Sequence, residues 1–130
     1  MTVAEVIDRF ARHRFEYGAA DCCAFVGACL EAAGKINPMR KIEYTNEDDA
    51  RAIIAMYGSL SHAVTAYMGS PLESPEQAEV DDVVLCHAGG EQIVGTVQRV
   101  NGERRCLLRT EDGVIDWPLR RAVRAWRAHG

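Results

Sequence analysis

The sequence predicts an α+β domain in which N-terminal helices pack on a C-terminal antiparallel β-meander. Three observations carry this. Up to residue 69 apolar residues recur at helical spacing, and from Val83 onward they become β-branched or aliphatic in short runs. Three turn signals, Gly89-Gly90, Asn101-Gly102 and Asp112-Gly113, divide that second half at hairpin intervals. Helices come first and strands afterwards, which favours one core between a helical layer and a sheet.

Each element has a local reason. Thr2-Val3-Ala4-Glu5 is a capping box, and Val3, Val6, Ile7, Phe10 and Ala11 give an amphipathic helix over about residues 3–12. Phe15 and Tyr17 are expected to anchor the following connector to the core. Asp21 is a good N-cap for a second helix that starts at Cys22. Its stripe is Cys22, Phe25, Val26, Cys29, Leu30 and Ala33, with Gly34 ending it. Residues 35–44 read as an extended connector. Thr45 is expected to cap a third helix, with Ala50, Ile53, Ile54 and Tyr57 buried and Gly58 at its end. Ser61 is expected to open a short fourth helix through Met68, closed by Gly69, with a loop from Ser70 to Glu79. Strands are expected at Val83 and Leu85, at Ile93–Val97, at Cys106–Arg109 and at Val114–Trp117. A last segment, Ala122 to Ala128, places Trp126 in the core.

Composition bounds the function. A chain of 130 residues with 48% hydrophobic and 26% charged residues reads as one globular domain over 1–130. The apolar runs are too short to span a membrane. Met1-Thr2-Val3-Ala4-Glu5 lacks the basic and apolar regions of a secretory leader, so folding in a cytoplasm is expected. The five cysteines are irregularly spaced without a Cys-x-x-Cys pair. Free thiols are therefore expected, with no metal site and no cofactor. The net charge of −4 is uneven: residues 1–98 carry 15 acids and 7 bases, residues 99–130 carry 4 acids and 8 arginines. Arg99, Arg104, Arg105 and Arg109 fall on expected strands and read as a solvated face rather than a nucleic-acid surface. Trp117 with Arg120, Arg121 and Arg124 forms a candidate protein-docking patch, because Trp and Arg are enriched at interface hot spots.

The chemistry concentrates at the second helix. A thiol in a first helical turn meets unpaired N–H groups and the positive end of the dipole, both of which favour thiolate. Cys22 is thus the candidate nucleophile, and Asp21 supports it as the helix cap. The alternative is structural, a small weakly polar residue packing at the mouth of a core helix.

Tyr17-Gly18 to Asp21-Cys22 and Phe25 opening a helix, followed by Asp82-Val83-Val84-Leu85 and a meander, resembles the NlpC/P60 branch of papain-like cysteine peptidases. Within it the chain is similar to a phage and prophage group of small proteins, DUF6950. The shared features include Arg40 to Tyr44, Gly58 and Ala125-Trp126-Arg127. The resemblance implies a papain-like fold and, for Cys22, the role of nucleophile in cleaving cell-wall peptides. It also implies a histidine base opening the second strand, where this chain has Ile93-Val94-Gly95-Thr96. A thiol without its base loses several orders of magnitude in rate. His87, across the Gly89-Gly90 turn from Ile93, is the candidate replacement base. The first expectation is therefore a phage, prophage or gene-transfer tail-tip or tail-assembly protein with impaired catalysis, found in the virion or in host cytoplasm before assembly. Its partners would be tail-tip or hub proteins. The alternative is an active peptidoglycan peptidase using Cys22 and His87, acting on wall peptides. A third class is thioesterase or acyl-transfer chemistry at the same thiol.

Overall fold

The fold is described for all residues 1–130 from a computed structural model. Four helices precede five strands: α1 (Val3–Arg12), α2 (Cys22–Ala32), α3 (Glu47–Tyr57), α4 (Leu60–Met68), β1 (Val83–Ala88), β2 (Glu91–Val100), β3 (Glu103–Thr110), β4 (Gly113–Pro118) and β5 (Ala122–Trp126). Short 3₁₀ turns at Pro75–Gln77 and Leu119–Arg121 lie before β1 and before β5.

Helix boundaries follow the caps. The Thr2–Glu5 capping box closes on α1 as expected. Asp21 caps α2 through its carboxylate. Two starts differ from the sequence reading. Asn46, not Thr45, caps α3 by accepting a bond from the Asp49 N–H at 2.8 Å. Ser59, not Ser61, caps α4 through the His62 N–H at 3.1 Å. Gly58 ends α3 and Ser59 begins the next cap, so the two helices meet at a corner with no loop, and Leu60 is buried rather than in a loop.

The strands form one antiparallel sheet in the order β4-β3-β2-β1-β5. β4 and β5 lie at opposite edges, yet Pro118 and Ala122 are joined by only three residues. Those residues reach at most about 15 Å, whereas the outer strands of a flat five-stranded sheet stand about 19 Å apart. The sheet is therefore curled. Its inner face gathers Val84, Cys86, Val97, Cys106, Leu108 and Ala125, with Ile93 and Trp117 packed at the margin. Its outer face carries Val83, Leu85, Val94 and Trp126 against Val26 and Leu30 of α2 and Val64 of α4. Trp126 is fully buried, and its Nε1 donates to Thr65 Oγ1 at 3.2 Å. Leu107 continues the outer face under α1 and α2, beside Phe10 and Phe25. At Gly95 on the inner face a Cβ would lie 2.4 Å from the Leu107 carbonyl oxygen, so the strand crossing admits no side chain.

Asp81-Asp82 opens the sheet with a specific geometry. Asp81 has φ +78°, a left-handed conformation that glycine adopts freely and Asp tolerates better than most residues. Asp82 is almost fully buried. It accepts from the Ala128 N–H at 2.8 Å and the Glu79 N–H at 2.9 Å, and pairs with Arg127 at 2.9 Å. One carboxylate thus ties the strand start to the segment after Trp126. No helix is long and apolar enough to cross a membrane.

Candidate functional site

The connector between α1 and α2 turns at Gly18, where φ is +83° and a Cβ would lie 2.0 Å from the Tyr44 carbonyl oxygen. Only glycine lets the two segments pass so closely, and that passage brings Tyr44 to the start of α2. The Asp21 carboxylate is the hub of the junction. One oxygen accepts from the Ala24 N–H at 2.8 Å as the helix cap. The other accepts from the Gly18 N–H at 2.9 Å and from the Tyr44 hydroxyl at 2.5 Å. Asp21 is buried, so these three donors replace the water it gives up.

Cys22 follows at the first helical position, half-buried at the wall of an open cleft. The neighbouring Cys23 thiol, a polar partner that keeps its own proton, pulls the Cys22 pKa below the ordinary thiol value, and the nearby Val94 backbone adds to the same effect. Burial and the neighbouring Asp21 charge oppose that shift without reversing it. Cys23 moves the other way, well above the usual value, because its interaction with Cys22 and its burial both disfavour the charged form. Burial raises Tyr44 as well, so the phenol stays a donor. Cys29, deeper in the helix, is pushed up to about 12 by burial and is inert.

The cleft is lined by Cys22, Asp21, Tyr44, Gln92, Arg109 and Glu111, with Phe15, Tyr17 and Arg51 at its margin. No histidine lines it. His87 is exposed on β1, where its register partner is Gln92. Ile93 pairs with Cys86 and packs with the inner-face cluster, while also forming part of the cleft lining. Gln92 and Val94 of β2 point to the α2 side; His87, the register partner of Gln92, shares that face but is exposed and does not line the cleft. His13 lines a different cavity, and His62 and His129 are exposed. Nowhere do three or more His, Cys, Asp or Glu side chains converge as a metal site requires.

Arg109 overturns its sequence reading. It is 2% exposed, not solvated. Its Nε donates to the Ala20 carbonyl at 3.1 Å and its Nη2 to the His13 carbonyl at 2.6 Å, while the guanidinium lies 5.8 Å from the centre of the Phe15 ring. Arg109 therefore clamps both ends of the connector that delivers Cys22. Phe15 and Tyr17 stack edge-on at 5.0 Å and wall the cleft rather than entering the core. Tyr44 and Arg109 are the two site residues that local patterns do not assign; only the position of Tyr44 before the third helix marked it at all.

The docking patch is divided by the strand geometry. The Arg121 guanidinium covers the Trp117 ring at 4.3 Å, and Arg120 is exposed next to it. Arg124 pairs in register with Leu85, so it emerges on the outer, helix-bearing side of β5.

Comparison with curated proteins and with solved structures gave no match. Residues 1–128 match a family described as a domain of unknown function, DUF6950. That match spans the helices, the cleft and the whole sheet, and the chain therefore belongs to the DUF6950 family.

Proposed function

We propose that this chain is a catalytically impaired domain of the NlpC/P60, papain-like type, serving as a tail-tip or tail-assembly part of a phage, prophage or gene-transfer particle. The observation that carries the loss of catalysis is the composition of the Cys22 cleft: a favoured thiolate at a helix start, with no histidine beside it. Amide hydrolysis needs a group that protonates the leaving amine and later activates water, and proton transfer needs direct or one-water contact. Asp21 is committed to three donors and is not free for that task. The left-handed Asp81, standing where the related peptidases open their first strand with glycine, supports the wider kinship. The place in a tail rests on the sequence resemblance, with the exposed Arg120 and Arg121 beside Trp117 as the docking surface and Arg124 excluded from it by its position on the other side of the sheet.

The test has two arms. Peptidoglycan stem peptides incubated with the protein should be cleaved no faster than with Cys22→Ala. In purified particles, Arg120→Glu together with Arg121→Glu should prevent incorporation of the chain without unfolding it. Cleavage that disappears in both Cys22→Ala and His87→Ala would replace this reading with an active wall peptidase. Normal incorporation of the double charge reversal would remove the docking claim.

A further inference from the structure

Beneath α3 lies a cavity of about 530 Å³, within the size range of small-molecule sites. Its lining is mainly hydrophobic and includes Phe10, Ala28, Met39, Ile53, Ile54 and Val64. α3 buries none of its residues fully, although Ala50, Ile53 and Ile54 all line this space. Ile54 still packs against the core beside Leu60 and Val64, while Ala50 and Ile53 face this space without being fully buried. Cys23, Tyr44, Ala50, Ile54 and Leu60 line both the cavity and the cleft that holds Cys22. The apolar space and the reactive sulfur thus share one wall.

We propose that the cavity takes the apolar chain of an acyl thioester, and that Cys22 accepts the acyl group by thioester exchange. A chain seated under α3 brings its carbonyl end toward the α2 terminus, where Cys22 stands. The Cys22 thiolate attacks the carbonyl carbon, and a new C–S bond forms. The tetrahedral intermediate collapses by breaking the bond to the donor sulfur, which leaves as a thiolate and takes a proton from water. One C–S bond forms and one breaks, with no oxidation or reduction. The step needs no dedicated general base, because exchange proceeds through the thiolate fraction of Cys22, which its place in the first turn of α2 favours. Removing the acyl group with water does need one; no histidine lines the cleft that holds Cys22, and His13, on the lining of the cavity, is exposed at the end of α1. The acyl-Cys22 adduct is therefore persistent, and the site is an acyl acceptor rather than a hydrolase. Persistence rests on the base-free cleft argued above; selectivity for the chain rests on the cavity alone.

The experiment uses the full chain with acetyl, butyryl and octanoyl thioesters of N-acetylcysteamine, followed by intact mass and peptide mapping. The expected result is octanoylation at Cys22 at least about tenfold faster than acetylation, since apolar pockets discriminate by about 1–3 kcal/mol per methylene. The adduct should be stable after the donor is removed, released by hydroxylamine, and absent in Cys22→Ser. Ala28→Phe fills the cavity six residues from Cys22 and should abolish the chain-length preference while iodoacetamide still labels Cys22. Ile53→Trp, from the opposite wall, serves if Ala28→Phe does not fold. Equal acetyl and octanoyl rates, a preference that survives cavity filling, or modification elsewhere than Cys22 would each overturn the proposal. Octanoyl preference with continuous turnover would instead overturn the base-free cleft, and the reading that depends on it, while leaving the cavity's selectivity in place.

Discussion

Asp21 offers the sharpest test of how the site is held together. Replacing it with alanine removes the helix cap, about 1 kcal/mol on its own. It also removes two further bonds to a charged acceptor, from Gly18 and Tyr44. Hydrogen bonds to charged groups contribute about 1.5–3 kcal/mol each. These contacts share one carboxylate and are not additive, so Asp21→Ala should cost about 3–5 kcal/mol. Asp21→Asn separates the contributions. Its amide oxygen still accepts from Ala24, but its NH₂ group meets two donors, so about 2–3 kcal/mol is expected. Tyr44→Phe leaves the carboxylate two of its three donors and should cost about 1–2 kcal/mol. Urea unfolding measures all three, and the double variant Asp21→Asn/Tyr44→Phe should be less destabilised than the sum of its singles. A cost below about 1 kcal/mol for Asp21→Ala would refute the hub and leave Asp21 as an ordinary surface cap.

Other expectations follow from single contacts. Gly18→Ala combines a left-handed backbone with a clash against the Tyr44 carbonyl; it should cost more than about 2 kcal/mol and lower the thermal midpoint by about 8 °C or more in calorimetry. Arg109→Met strands the carbonyls of His13 and Ala20; a loss of about 3 kcal/mol is expected, with proteolysis appearing first in residues 13–20. Arg121→Glu removes only the exposed stacking on Trp117 and should change stability by no more than about 1 kcal/mol. Cys23→Ala deletes the donor that favours the Cys22 thiolate. The midpoint of Cys22 alkylation should then move to higher pH, because the charged form has lost its partner, while Cys29 stays unlabelled in both proteins.

Local rules made most of the fold readable. The Thr2–Glu5 box, the Asp21 cap, the glycine stops and the three two-residue turns act within a few residues, and each element they imply is present. The misplaced starts of α3 and α4 show where such rules become ambiguous. Thr45 and Asn46 are both competent caps, as are Ser59 and Ser61, and burial of Leu60 favours the earlier serine. The candidate site was legible only where its chemistry is local. Cys22 and Asp21 announce themselves, whereas Tyr44 reaches Asp21 across 23 positions and Arg109 reaches His13 across 96. Strand alternation places Arg109 on one of two faces but does not say that a connector covers it. The same holds for Ile93, which its register with Cys86 places with the inner-face cluster.

Everything proposed for the cleft depends on Cys22 being a favoured thiolate with no histidine acting on it. The pH dependence of Cys22 alkylation, located by mass spectrometry in the wild-type chain and in His87→Ala, tests this most directly. A single inflection below the free-thiol value of about 8.5, identical in both proteins, is expected. A second inflection near about 6.5, present in the wild type and lost in His87→Ala, would show an imidazole partnered with the thiol and contradict the account.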